Sequence, residues 1–162
     1  MAKCLQSLGN IHSMQHKYEI ASQVLKEAQT QSAAIGDKLG VAQCLQSLGD
    51  IHRMQHEYEI ASQALKEAQT QFAAIGDKLG VAQCLCSLGS IHRMQHEYEI
   101  ASQVLKEAQT QFAAIGHKLG VAQCLQSLGN IHRMQHEYEI ASQVLKEAQT
   151  QFAAIGDKLG VA

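Results

Sequence analysis

Apolar side chains return at helical intervals along the chain, and the interval resets twice in every forty residues. In the stretch opening at Val41, the positions Val41, Leu45, Leu48 and His52 recur at i, i+4, i+7 and i+11, and Cys44 and Ile51 widen the stripe. This predicts a helix, A, from about Lys38 to Gln55. A second stripe, Tyr58, Ala61, Leu65, Ala68, Phe72 and Ile75, keeps alternating three- and four-residue steps and predicts helix B from about Glu57 to Ile75. So short a link between the two makes them antiparallel neighbours. Gly76 suits the left-handed residue that ends a helix, and Asp77 suits the acceptor that opens the next. The sequence has no proline and no alternating β-branched segment, so the reading is all-α.

The pattern is a true internal repeat. The phrase Val41-Ala42-Gln43-Cys44-Leu45-Gln46-Ser47-Leu48-Gly49 returns at Val81 and Val121, a period of 40, and the first copy joins it at Ala2. Between Val41–Gly80 and Val121–Gly160 only Asp50/Asn130 and Ala64/Val144 differ. Residues 1–162 therefore read as one array, with repeats at about 1–40, 41–80, 81–120 and 121–160 and the start of a fifth at 161–162. Hairpins of this kind bury their apolar faces against their neighbours and stack as a solenoid.

Composition narrows the function. With 46% hydrophobic residues, 17% charged and a net charge of −2, the chain has a core to bury and lacks the basic surplus of a nucleic-acid binder. No apolar run approaches the ~20 residues of a membrane span, and Met1-Ala2-Lys3-Cys4-Leu5-Gln6 lacks the apolar stretch of a secretory signal. A soluble, cytoplasmic protein without a membrane partner is expected. Cys4, Cys44, Cys84 and Cys124 share one register on the apolar face and read as small core residues. Cys86 replaces a glutamine found in the other three repeats and reads as the accessible thiol.

Chemistry-bearing motifs are sparse. The histidine pairs His12/His16, His52/His56, His92/His96 and His132/His136 are four apart, a spacing that puts two imidazoles on one helix face. Neither a third ligand nor an H-E-x-x-H phrase accompanies them, so packing is favoured over a metal and no cofactor is expected. His117, at the register of Asp37, Asp77 and Asp157, reads as drift at a helix start. Glu57 and Glu59 suit the positive end of helix B, and no nucleophile, base or phosphate loop is apparent, so an enzyme is not expected.

The residues resemble the tetratricopeptide repeat family. Its pattern W-x2-L-G-x2-Y, A-x3-F, P is answered by Leu45-x2-Leu48-Gly49-x2-His52, then Ala61-x3-Leu65, with Ala73 at the proline. Leu48-Gly49, Ala61 and Ala68 are the small and diagnostic positions that let helices A and B approach closely. The period exceeds the usual ~34 residues, and Ile75-Gly76-Asp77-Lys78-Leu79-Gly80 is similar to the longer variant of the Leu-Gly-Asn-repeat adaptors. The resemblance implies a right-handed superhelical solenoid of four antiparallel hairpins. It also implies that one face of helix A lines a concave groove for extended peptides, with the asparagine after Leu-Gly holding the peptide backbone.

The repeats disagree on one stripe of helix A. Its members are Lys3/Gln43/Gln83/Gln123, Gln6/Gln46/Cys86/Gln126, Asn10/Asp50/Ser90/Asn130 and Ser13/Arg53/Arg93/Arg133, spaced three, four and three apart. Asn10 and Asn130 match the family's asparagine, and Asp50 and Ser90 depart from it. The candidate peptide-binding residues are Asn10, Gln46, Asp50, Arg53, Gln83, Cys86, Ser90, Arg93, Gln126, Asn130 and Arg133. A row of guanidinium groups favours carboxylates, so the expected function is a protein–protein interaction scaffold for an extended, acidic peptide. The alternative is a self-assembling module, because helix faces left uncapped at the ends of an array, including the helix carrying Phe152, invite homo-oligomers.

Overall fold

The computed structural model describes residues 1–159, so the fifth-repeat start expected at 161–162 lies outside the described residues. Among the described residues every regular element is helical: α1 (Ala2–Met14), α2 (Tyr18–Ala34), α3 (Lys38–Met54), α4 (Tyr58–Ala74), α5 (Lys78–Met94), α6 (Tyr98–Ala114), α7 (Lys118–Met134) and α8 (Tyr138–Leu159). Odd helices are the expected helix A and even ones helix B. None of the described helices is long and apolar enough to cross a membrane. The chain divides into two compact units, Met1–Cys84 and Leu85–Ala162, with the boundary inside α5.

In the first unit, Ala21, Leu25 and Ala28 of α2 pack against Cys44, Leu48 and Ile51 of α3, with Leu5 of α1 and Tyr18 at the edge. α2 thus lies against its own helix A, α1, and against the next one, α3. Burying a side chain the size of Leu25 contributes about 1.5–3 kcal/mol, which explains why the stripe positions barely vary between repeats. In the second unit the same registers recur: Ala101 and Leu105 of α6 meet Leu128 and Ile131 of α7, with Cys86, Tyr98 and Val144 alongside.

Two glycines per repeat set the helix spacing. A Cβ on Gly49 would lie 2.6 Å from Leu65 Cγ, so a bare α3 backbone is what lets Leu65 sit at the hairpin crossing. A Cβ on Gly80 would lie 2.4 Å from the Phe72 ring, a close approach that the sequence pattern did not single out.

Both kinds of turn follow the same hydrogen-bond scheme. After α4, Gly76 takes φ 74°, its N–H donates to the Ala73 carbonyl at 3.1 Å, and the Asp77 N–H donates to the Phe72 carbonyl at 2.9 Å. These are the paired bonds of a Schellman turn. Asp77 then caps α5, accepting from the Gly80 N–H at 3.0 Å, as Asp37 does from Gly40 at 2.9 Å. His117 keeps the role in another chemistry: its Nδ1 accepts the Gly120 N–H at 3.0 Å, so the residue expected to be drift is a cap.

At the turn from helix A to helix B the left-handed residue is a histidine. His56 has φ 62°, its N–H donates to the Arg53 carbonyl at 3.1 Å, and Glu57 N–H donates to the His52 carbonyl at 2.9 Å. His16, His96 and His136 are also left-handed. The expected shared helix face for each histidine pair is therefore wrong, because the second histidine has left the helix before its side chain begins.

One helix departs from the turn rule. α8 continues to Leu159 through Gly156, the register at which Gly36, Gly76 and Gly116 turn left-handed.

Candidate functional site

The polar stripe of helix A lies on a face separate from the core. In the first unit Gln46, Asp50 and Arg53 are half-buried and Asn10 and Gln83 are exposed. In the second, Cys86, Ser90, Arg93 and Asn130 are half-buried and Gln126 and Arg133 are exposed. Between α1 and α3, Asn10, Ser13, Met14, Gln46, Ser47 and Asp50 line an open groove of about 360 Å³. Three of the candidate residues, one on α1 and two on α3, are brought together there.

Successive A helices of the first unit are laced by their glutamines. Gln6 Nε2 donates to Gln43 Oε1 at 3.2 Å, and Gln46 Nε2 donates to Gln83 Oε1 at 3.3 Å. Arg53 Nε donates to Asp50 Oδ1 at 3.3 Å, so this guanidinium already faces a carboxylate one turn back. Among the described residues neither Arg93 nor Arg133 is in an ion pair, since Ser90 and Asn130 replace the aspartate at that register. Arg133 also borders a cleft of about 350 Å³ against α8, lined by Tyr138, Ala141, Ser142, Leu145, Lys146 and Gln149.

Cys86 breaks the glutamine lacing. Its Sγ lies 3.3 Å from the Sγ of Cys124 on α7. The thiol expected to be the accessible one is thus half-buried against a second sulfur, and the exposed thiol is Cys4. Cys4 has the register of buried Cys44, but the residues that cover Cys44 belong to a preceding helix B, α2. Burial pushes the Cys44 thiol up to about 11, with Asp37 adding to it. Burial, then Asp50 and Asp77, push Cys84 up to about 12.

The hairpin tips carry polar pairs that sequence reasoning missed. His52, His92 and His132 hold Glu57, Glu97 and Glu137 through Nδ1 and Oε2 at 2.5 Å. Their separation of five residues spans the turn, which is why helix-face spacing did not reveal them. Beside them His56 Nδ1 and the Tyr58 hydroxyl share a hydrogen bond at 2.7 Å. In the first hairpin Lys17 replaces the glutamate, and His12 keeps a buried Nδ1 with no hydrogen-bond partner. At two tips these residues border clefts: His16, Lys17, Tyr18, Glu19, Ile20 and Gln55 around about 350 Å³, and His96, Glu97, Tyr98, Glu99, Ile100 and Gln135 around about 320 Å³. The recurring His-Glu-Tyr-Glu-Ile phrase was the signal for them. No group of three or more potential metal-ligating side chains forms among the described residues.

The family model described as the tetratricopeptide repeat matches residues 2–74 and 81–153. The chain belongs to the tetratricopeptide repeat family. Among curated proteins no sequence matches this tetratricopeptide chain significantly. Solved structures resemble it in fold. Aspartyl phosphate phosphatase F from Bacillus subtilis aligns at a TM-score of 0.91 and 15% identity, over 96% of this chain and 41% of that one. BtubC from P. vanneervenii aligns at 0.82 and 18%, over 96% and 64%. The Rap conjugation gene regulator of plasmid pLS20, solved in complex with the Phr peptide, aligns at 0.79 and 16%, over 88% and 40%. The tetratricopeptide chain thus spans less than two thirds of each of these proteins, and identities this low establish a shared fold alone.

Proposed function

We propose that the protein is an interaction scaffold that takes an extended, acidic peptide along the polar A-helix face of its second unit. The observation that carries this reading is the pair of arginines, Arg93 and Arg133, which occupy one register of that face and have no ion pair among the described residues. A guanidinium engages a carboxylate through two parallel hydrogen bonds, so a peptide with acidic side chains at matching intervals gains both charge and geometry. Gln126 and Asn130 supply donors and acceptors for its backbone. The pLS20 regulator, of the same fold, is a peptide-bound precedent.

The test is the affinity of a fluorescent Asp/Glu-rich peptide for three proteins: the unaltered chain, Arg93→Ala and Lys106→Ala. Lys106 is exposed on α6. Losing Arg93 should weaken binding roughly tenfold, the worth of one charge-assisted hydrogen-bonded pair, while Lys106→Ala changes it less than about twofold. Added salt should weaken binding in parallel. Equal effects of the two substitutions would remove the A-helix face from consideration.

One observation favours self-association as a second reading. Leu8 is 42% and Ile11 50% exposed on α1, whereas the same registers on α3, Leu48 and Ile51, are 5% and 1% exposed under α2. On α8, Tyr138 is 61% exposed beside the cleft that Ala141 and Leu145 line. Docking α1 of one copy on α8 of another would repeat the α2–α3 packing. Sedimentation should then show mass rising with concentration and Ile11→Glu abolishing the rise; a concentration-independent monomer contradicts it.

A further inference from the structure

We propose that Cys86 and Cys124 form a modification site, a thiol pair that a peroxide closes to a reversible disulfide between α5 and α7. Their sulfurs lie 3.3 Å apart, and a disulfide needs about 2.05 Å, so a closure of about 1.2 Å is required. The two sulfurs come from A helices of the second unit, Cys86 on α5 and Cys124 on α7. The inference stands apart from the peptide reading.

The arrangement also assigns the order of events. Cys86 is half-buried, on the edge of the polar stripe, whereas Cys124 is fully buried behind it. A small oxidant therefore meets Cys86 first. The Cys124 hydrogen bond lowers the Cys86 thiol, more than burial raises it, while the same bond and then burial raise Cys124. Of the two sulfurs Cys86 is therefore the one that gives up its proton first, and a thiolate is the species that reacts with peroxide. Cys44 and Cys84, pushed up to about 11 and about 12 by burial, stay thiols and lie in the core.

The chemistry balances in two steps. The Cys86 thiolate attacks one oxygen of a hydroperoxide, the O–O bond breaks, and hydroxide or alkoxide leaves, giving a sulfenic acid at Cys86. The Cys124 sulfur then attacks Cys86 Sγ, the S–O bond breaks, and the departing hydroxide takes the Cys124 proton and leaves as water. One peroxide is reduced and two thiols are oxidised. A dithiol reverses the bond by exchange.

Position 86 is glutamine in the other three repeats, so Cys86→Gln is a substitution the fold already accommodates. The experiment treats the full chain, carrying Cys4→Ser to prevent links through the exposed thiol, with hydrogen peroxide, blocks free thiols, and maps the tryptic peptides by mass spectrometry. The expected result is loss of two hydrogens, with peptide 79–93 joined to 119–133 through Cys86 and Cys124 as located by fragmentation. Dithiothreitol should restore both thiols, and Cys86→Gln and Cys124→Ala should each abolish the link. The proposal is overturned if Cys86 accumulates as sulfinic acid while Cys124 remains open to alkylation. It is equally overturned if the same peptides stay linked in Cys86→Gln.

Discussion

The two compact units are built from nearly the same forty-residue phrase, yet their A-helix faces use their polar groups differently. In the first unit the face bonds to itself: glutamines bridge neighbouring A helices, and Asp50 occupies Arg53. In the second, a sulfur pair stands where a glutamine bridge would be, and Ser90 and Asn130 leave Arg93 and Arg133 without a carboxylate among the described residues. The cores do not differ in this way, since Leu48 and Leu128, Ile51 and Ile131 are buried alike. Packing holds one side of helix A constant, and the solvent side is where single substitutions turn a self-satisfied surface into one with unused charge.

If that contrast is confined to the surface, core substitutions should hit both units equally and hardest. Gly49→Ala and Gly89→Ala would each drive a methyl to 2.6 or 2.7 Å from Leu65 or Leu105. Overpacking of this kind costs about 1–3 kcal/mol, less up to about 1 kcal/mol regained from alanine's helix propensity. Denaturant unfolding should place both losses within several tenths of a kcal/mol of each other, and a clear inequality would mean the cores differ after all.

The surface contrast can be exchanged between units. Ser90→Asp should give Arg93 the partner that Arg53 has and weaken an acidic peptide about tenfold, as much as Arg93→Ala does. Asp50→Ser should free Arg53 and strengthen binding by a few-fold. Peptide titrations that ignored both changes would show that pairing on this face does not govern recognition.

Smaller effects come from an irregular tip in the first unit and an irregular cap in the second. Lys17→Glu should supply His12 with the partner that His52 finds in Glu57 and raise stability by about 1 kcal/mol, because a buried polar atom gains its hydrogen bond. His117→Asp should restore the carboxylate cap of Asp37 and Asp77 and add about 0.5 kcal/mol, partly through the helix dipole. Thermal melts of the two variants would measure each, and a decrease in either would contradict the assignment of that turn.

The hairpins, the left-handed Gly76 and the Asp77 cap were legible because each follows from local spacing or from a residue's own conformational limits, and the crossing at Gly49 was legible through the family pattern that Leu48-Gly49 resembles. His56 was misread because an i, i+4 interval looks the same whether or not the helix ends between its members. The Cys86–Cys124 contact joins residues 38 apart on helices of different repeats, which a stripe on one helix does not encode. Burial at the cysteine register was right for Cys44, Cys84 and Cys124 and wrong for Cys4, since burial belongs to the covering helix and not to the residue. Of the candidate site, the stripe's separation from the core was readable, but which arginine already had a partner depended on the side chain three residues earlier.

The central claim is that ligand lies on the A-helix face of the second unit, and photo-cross-linking tests it most directly. An Asp/Glu-rich peptide carrying a photoreactive group would be irradiated with the full chain at low and high salt, and the adducts mapped by tryptic peptide. The account predicts adducts on 79–93 and 119–133, the segments bearing Arg93 and Arg133, and their loss at high salt. Adducts concentrated on α6 around Lys106, or spread evenly over A and B helices and indifferent to salt, would contradict it.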